Sequence, residues 1–350
     1  MNLDKLFAEV AQERIESKDK DSKVLIIDGL NRFLSVWAAV PALNQNGDHI
    51  GGIAGFLKSI GAIIRQENPT RCVIVFDGKG GSLRRRKLFS DYKNNRHPSQ
   101  HLNRVEFSSK EDEEFSMRHQ MARILNYLQV LPLTVIAIDH IEADDTIANL
   151  VTHYYGNADN KITIVSSDRD FLQLVNDRIS IWSPVKKKLY RPEEIKEEFG
   201  MLPENYLLYR VLTGDASDNI PGVKGMGLKT LQKEFNLLEN EYSVEEILEF
   251  AREKVKNKNS KKIFHEIILK ENQIHLNYRL MQLKDSDISL SSKNQIRDLM
   301  NYPISKLNKF EVLKMMSDDY LFDSFKFPDK WLLDTFSNLD TWADGTTRNV

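Results

Sequence analysis

Four short apolar runs of strand character each stop on or just before a carboxylate, and a chain patterned this way has few folds open to it. The runs are Lys23 to Asp28 (KVLIID), Cys72 to Asp77 (CVIVFD), Leu133 to Glu142 (LTVIAIDHIE) and Ile162 to Asp168 (ITIVSSD). Their β-branched content and brevity read as buried parallel strands, and the stretches between them carry helical spacing. In an open α/β sheet, ligands bind outside the carboxyl ends of the strands. Acids far apart in sequence are therefore expected in one cleft: Asp28, Asp77, Glu142, Asp144, Asp145, Asp168 and Asp170. Packed like charges are tolerated only if some stay protonated or cations sit among them, and metal binding is the simpler answer.

With 350 residues, 41% of them hydrophobic, the chain can bury one large core or two moderate ones. Its single cysteine, Cys72, falls in a buried strand, which excludes an internal disulfide and argues against a thiolate metal site. Nothing approaches a membrane-spanning apolar run, and the N-terminal stretch MNLDKLFAEVAQERIESKDKDSK is too acidic and polar for a signal peptide. A cytosolic protein, monomeric by default and without membrane contact, is expected. The net charge of −2 hides opposite local fields. Seven basic residues (Lys79, Arg84, Arg85, Arg86, Lys87, Lys93, Arg96) stand against one acid, Asp91, between positions 79 and 96. With cations neutralising the clustered acids, a polyanion meets a more positive surface than the formal sum suggests.

Along the chain, residues 1–22 read as a short amphipathic helix (Leu3, Leu6, Phe7, Val10) and a linker, and residues 23–190 as an α/β core with a central, mainly parallel sheet flanked by helices. Ile53 to Ile64 has helical spacing. Residues 78–110 lack periodicity and read as a mobile basic arch beside the cleft. Residues 111–131 return to a helix with Phe115, Met121, Ile124, Leu125 and Leu128 as its apolar stripe, 142–155 form another, and Arg178 to Tyr190 suggests a hairpin. Residues 191–290 form a helical region, with helices near 192–200, 203–213, 227–236, 243–255 and 261–283. Residues 291–350 carry aromatic and apolar patches (Tyr320, Leu321, Phe322, Phe325, Phe327, Trp331) and read as a cap on the core or a segment docking a partner.

Glu142, Asp144 and Asp145 occupy the first turn of a helix, where Glu142 and Asp145 share a face. Asp168 and Asp170 follow a strand, and Asp215 and Asp218 precede a glycine-rich turn. Each set alone is what a helix start, an N-cap or a turn also places there. Together, at one end of a sheet, they form an oxygen-only donor set suited to Mg²⁺, with Mn²⁺ as a substitute, rather than Zn²⁺. His140 lies near them, and a structural role is expected for it. So many carboxylates can hold two ions a few ångströms apart, the arrangement that supports in-line hydrolysis of a phosphodiester. The basic segment then contacts the backbone, with Tyr92 able to stack on a base. Between helices, Gly222-Val223-Lys224-Gly225-Met226-Gly227-Leu228-Lys229-Thr230 reads as a phosphate-gripping hairpin. No Walker loop is present in that element, because Gly-x-x-x-x-Gly-Lys-Ser/Thr after a strand is missing.

Taken in order, IIDGLN (26–31), VFDGKGG (75–81), DYKNNR (91–96), EADD (142–145), SSDRDF (166–171) and GDASDNIPGVKGMGLKT (214–230) resemble the successive motifs of the 5′-nuclease, or flap endonuclease, superfamily. The resemblance covers about residues 23–235. It implies a PIN-like nuclease core and a helix–three-turn–helix at about 214–236. It further implies that Asp28, Asp77, Glu142 and Asp144 surround one metal with Asp145 close by, and that Asp168, Asp170, Asp215 and Asp218 lie around a second. Lys93 and one of Arg84, Arg85 and Arg86 would meet the scissile phosphodiester, Arg85 being favoured by its spacing to Tyr92 and Lys93. Gly222, Gly225 and Gly227 would present backbone to the duplex, with a bound K⁺. The stand-alone length is most similar to the ribonuclease H enzymes of T4-type phages, which remove RNA primers and 5′ flaps.

The expectation is thus a two-metal, structure-specific 5′-nuclease acting on DNA and RNA–DNA duplexes with 5′ flaps or ends, in the host cytoplasm if phage-encoded, with the C-terminal segment open to a single-strand-binding protein or clamp. A PIN-type endoribonuclease would share the acidic cleft but ordinarily lacks the 214–230 element and the long basic arch. A non-catalytic duplex-binding protein, in which the acids have lost their metals, is disfavoured by the intact aspartates at every position.

Overall fold

Buried residues alternate between two faces along each central strand, and the molecule is built outward from that alternation. The computed structural model describes residues 21–94, 103–156 and 159–344. Within it β1 (Lys23–Asp28), β2 (Arg71–Asp77), β3 (Thr134–Ile138), β4 (Lys161–Val165) and β5 (Ile179–Ser183) run parallel in the order β3-β2-β1-β4-β5, and β6 (Lys188–Tyr190) pairs antiparallel with β5 at the edge. In register, Ile26 faces Val73 on one side and Ile164 on the other.

Helices α1 (Gly29–Ala39), α2 (Gly51–Glu67), α3 (Leu83–Leu88), α4 (Lys110–Gln129) and α5 (Ala143–Asn149) lie between the strands. After β6 follow α6 (Pro192–Phe199), α7 (Tyr206–Thr213), α8 (Leu228–Glu234), α9 (Val244–Val255), α10 (Lys262–Leu269), α11 (Glu271–Met281), α12 (Leu290–Asn301), α13 (Lys309–Asp318) and α14 (Pro328–Thr341). Val24, Ile26, Val73, Val75 and Ile136 pack on the face covered by α5 and by α6 to α12. Leu25, Ile27, Cys72, Ile74 and Phe76 pack on the opposite face against α1, α2, α4, α13 and α14. Sheets of this kind are buried on both faces, which is why the strands read as continuous apolar runs. Burial also pushes the Cys72 thiol up to about 12, consistent with an inert core residue. No helix of the described residues is long and apolar enough to cross a membrane.

The chain moves from β1 outward to β2 and β3, then returns past β1 to β4, so the direction of winding reverses between β1 and β4. That reversal opens a crevice at the carboxyl ends. Asp28 ends β1 on its edge.

Several expectations are corrected in detail. The third strand stops at Ile138, and His140, with φ of 66°, turns the chain toward Glu142 at the start of α5. On α4, Phe115 is 72% exposed and Leu125 37%, while Gln120 and Tyr127 are buried. The buried face of α4 is partly polar: Gln120 Oε1 accepts from the Ile53 N–H at 3.1 Å and Glu113 Oε1 from the Asn103 N–H at 2.9 Å, partnerships that hydrophobic spacing does not register. The expected helix at 261–283 is two helices meeting at Lys270. The segment 78–110 is not one irregular arch, because α3 folds within it and Phe107 stacks on Trp37 at 6.5 Å. The expected helix in residues 1–22 lies almost wholly outside the described residues.

Of the C-terminal patch, Leu321 and Phe325 are buried, as is Phe336 of α14. Phe336→Ala is expected to lower the stability of the whole protein by about 3–5 kcal/mol, measured as a shift in the urea midpoint. An unchanged midpoint would mean that α13 and α14 are not part of the cooperative core.

Candidate active site

Backbone N–H groups fix Asp28, Asp77, Asp144, Asp168 and Asp215 at the crevice, and side-chain cations hold Glu142, Asp145 and Asp170. Asp28 caps α1, its Oδ1 accepting from the Asn31 N–H at 3.1 Å and its Oδ2 from the Ser166 hydroxyl at 3.0 Å. Burial pushes its carboxyl up to about 7 against the Asn31 hydrogen bond, and the charges of Asp168 and Asp77 add to the rise. Asp77 ends β2 and accepts from the Ala143 N–H at 2.8 Å, which ties β2 to the start of α5; burial raises it too, with Asp144 and Glu142 adding. Ser166 Oγ in turn accepts from the Asp168 N–H at 3.1 Å, and Asp168 Oδ1 from the Asp170 N–H at 2.8 Å. Asp168 is raised by its enclosure and by Asp144 and Asp218, and Asp170 is pushed up to about 7 by burial and by Asp168.

Glu142, Asp144 and Asp145 each offer an oxygen within 4.8 Å of the others. Asp145 is pushed up to about 6 by burial and by Asp144. Asp144 is held low despite its burial, by Arg85 and then Lys93. Asp215 is also low, with burial outweighed by hydrogen bonds from Ser217 and the charge of Arg210. Asp77 and Asp168 act on Asp28, Asp144 and Asp218 on Asp168, and Asp168 and Asp215 on Asp170, while among the described residues Glu142, Asp144 and Asp145 are the acids whose oxygens gather at metal-ligand distance.

The cations stand differently from the sequence reading. Arg85 does not reach out from an arch: its side chain is 2% exposed, pairs with Glu142, Asp144 at 3.1 Å and Asp145 at 3.0 Å, and donates from Nε to the Leu280 carbonyl at 2.9 Å. Burial works against its charge, but Asp144, Asp145 and Glu142 hold it protonated above the ordinary guanidinium value. Arg84 pairs with Asp145 at 3.0 Å. Lys93 pairs with Glu142 while remaining 20% exposed, and burial is outweighed by Glu142 and Asp144 so that its pKa rises. Arg86 is exposed, and Arg96 lies outside the described residues. Tyr92 is corrected as well. Its ring is 3% exposed, 4.8 Å from Lys93 Nζ and 6.0 Å from the Arg85 guanidinium carbon, so it packs beneath the cations and has no free face for a base.

Two residues that motif reading passed over complete the cluster. Arg210 on α7 bonds Asp170 Oδ1 at 2.8 Å and pairs with Asp215, and its only sequence signal is its place one helical turn before Gly214-Asp215. Ser166, inside the SSDRDF motif, links the acids of β1 and β4.

Beside the acids, the Asp215 and Ile220 backbones bond each other both ways at 2.8 Å and close a loop that leads into the glycine turn. A Cβ on Gly222 would strike the Thr213 carbonyl, so that glycine serves close packing. Gly225 has φ of +82°, Gly227 has open space where a Cβ would sit, and Thr230 Oγ1 bonds the Gly225 carbonyl at 3.2 Å. Val223 turns its side chain into the core, whereas Lys229 is exposed.

A family model described as the N-terminal resolvase-like domain of 5′-3′ exonucleases matches residues 23–200, and one described as their C-terminal SAM fold matches residues 201–301. The chain belongs to the 5′-3′ exonuclease family. Within this nuclease family it is 31% identical over 303 residues to the 5′-3′ exonuclease of Buchnera aphidicola from Acyrthosiphon pisum, covering 84% of this chain and 97% of that one. It is 29% identical over 298 residues to the 5′-3′ exonuclease of Aquifex aeolicus, covering 84% and 93%. The bacteriophage T5 flap endonuclease, solved with DNA and metal ions, shares the fold with a TM-score of 0.60 at 18% identity, over 84% of this chain and 99% of that one.

The donor set of this nuclease suits a hard divalent cation. Buried carboxylates pushed upward, with no cysteine among them, are what such an ion relieves. In EDTA, Asp28, Asp145 and Asp170 have folded pKa values above their unfolded ones, so their contribution is complete below about pH 4 and is lost as pH rises through about 6 to 7. The melting temperature in EDTA is therefore expected to fall between about pH 5 and pH 8, and Mg²⁺ to restore it chiefly at the higher pH. A melting temperature in EDTA that holds or rises over that range would contradict the clustering.

Proposed function

We propose that this nuclease is a two-metal, structure-specific enzyme that hydrolyses phosphodiesters at 5′ flaps and ends of DNA and RNA–DNA duplexes, including ribonuclease H-like removal of RNA primers in phage-type replication or repair. The observation that carries the reading is the group Glu142, Asp144 and Asp145, whose oxygens lie within 4.8 Å of one another, with Asp77 bonded to the Ala143 N–H beside them and Lys93 paired with Glu142. Asp28, Asp77, Glu142 and Asp144, with Asp145 alongside, would hold one ion, and Asp168, Asp170, Asp215 and Asp218 the other. Mg²⁺, for which Mn²⁺ substitutes, supplies when bound the acidity that activates a water and the charge that stabilises the leaving oxygen.

The protein's own groups do the rest. Lys93, 20% exposed and paired with Glu142, would exchange that carboxylate for the scissile phosphate. Arg85, with its donors already committed, keeps the acids compact. The exposed Gly225 and the open space at Gly227, followed by Lys229 and Thr230, let backbone approach a duplex, and K⁺ at the Gly225 and Thr230 turn would neutralise phosphate there. Contacts of this kind read shape and carry no sequence code. Exposed Phe310 and Phe327 are what a clamp or single-strand-binding protein would meet, with the enzyme acting as a cytoplasmic monomer.

Cleavage of a 5′-labelled flap duplex beside a matched single-stranded RNA, in Mg²⁺ and in EDTA, tests the reading. Metal-dependent cutting near the junction with the single strand spared is expected; cutting of the RNA alone would favour a PIN-type endoribonuclease, and binding without cutting a non-catalytic role. Asp168→Asn is expected to remove cleavage by orders of magnitude while duplex binding persists, and wild-type turnover in that variant would refute the two-metal assignment. Lys93→Ala should lower kcat by roughly 10²–10³ with KM little changed, because a charge on the scissile phosphate matters most in the transition state. Equal losses in binding and rate would reduce Lys93 to a docking contact.

A further inference from the structure

Lys93 reaches the carboxylate cluster from a backbone that a side-chain-bearing residue seldom adopts. Its φ is 58°, in the left-handed region where Cβ crowds the backbone, and it sits in the turn Asp91 to Asn94. Such a conformation persists only when its surroundings over-determine it. Here they do. The Lys93 N–H donates to the Asp218 carbonyl at 3.0 Å, and the Asn219 side-chain amide donates to the Asp91 carbonyl at 3.0 Å, which also accepts from the Asn94 N–H at 3.0 Å. Asn219 is itself left-handed, with φ of 62°, a conformation its residue type favours. The loop that carries Asp218 and Asn219 is closed by the Asp215 and Ile220 backbone pair and runs directly into Gly222.

From this geometry we infer that Asn219 is a positioning residue for Lys93. It and the Asp218 carbonyl clamp the turn beneath the lysine, so that one loop fixes both the charge at the carboxylates and the glycine turn beside them. The inference rests on the proposed role of Lys93. It explains why an exposed turn with no apolar anchor except Tyr92 holds its lysine against Glu142 and over the Tyr92 ring at 4.8 Å. It also assigns a use to the asparagine of the GDASDN segment, which touches neither the acids nor the glycine turn through its amide.

Asn219→Gly and Asn219→Asp both tolerate the left-handed backbone and both lack the amide donor, so they remove the side-chain half of the clamp while sparing the loop. Each is expected to lower single-turnover kcat on a flap duplex by roughly tenfold to hundredfold with KM changed less than about twofold, the loss that misplacing one catalytic group produces. In the Lys93→Ala background neither should slow the reaction further. Melting temperatures and duplex affinity in Ca²⁺ near those of the unmodified protein would establish that the variants are folded. The inference is overturned if the losses multiply with that of Lys93→Ala, if KM rises while kcat holds, or if both variants cleave at the full rate. Should Lys93→Ala itself cleave at the full rate, the role proposed for Lys93 fails first, and the two failures are told apart.

Discussion

Mutual repulsion among carboxylates drawn to one end of a sheet is the constraint around which the rest of this molecule is arranged. Acids cannot share a crevice unless their charge is answered, and three devices answer it. Some are pushed toward protonation, as at Asp28 and Asp170. Others are matched by cations that have given up their water to be there, Arg85 against Glu142, Asp144 and Asp145, and Arg210 between Asp170 and Asp215. Backbone N–H groups at helix starts answer Asp77, Asp28 and Asp168, from Ala143, Asn31 and Asp170. A buried ion network of this density is poor value for stability alone, since apolar packing of equal volume does as well, and its presence points to use.

The same constraint explains how the helical regions divide. Helices α6 to α12 bring Arg210, the Asp215 to Asp218 loop and the Leu280 carbonyl to the acidic crevice from one face of the sheet. Helices α13 and α14 cross to the other face and bury Phe336 and Leu332 against α2, away from the chemistry. The C-terminal segment is in this respect a structural cap whose exposed aromatic residues are a separate matter.

Motif spacing made the acids legible because a strand that ends on a carboxylate declares both its burial and its polarity change in a few residues. Side-chain direction was not legible in the same way. Arg84, Arg85 and Arg86 are consecutive, so on α3 they point about 100° apart, and nothing local tells which one turns inward; Leu280, far along the chain, receives Arg85. Tyr92 beside Lys93 reads as a surface aromatic until the Asp218 and Asn219 loop is laid over its turn. On α4, buried polar residues such as Gln120 and Glu113 break the hydrophobic stripe because their partners come from other elements.

By itself the sequence determined the strands, the acids at their ends, the oxygen-only donor set and the glycine turn, since each depends on composition and spacing over a few residues. Tertiary structure alone decided the winding reversal that places Asp28 beside Ser166 and Asp168, the cations that neutralise the cluster, and the loop that holds Lys93 in a left-handed turn. The reason is physical: charges in a shared crevice and hydrogen bonds between distant loops depend on distances that only the packed chain sets.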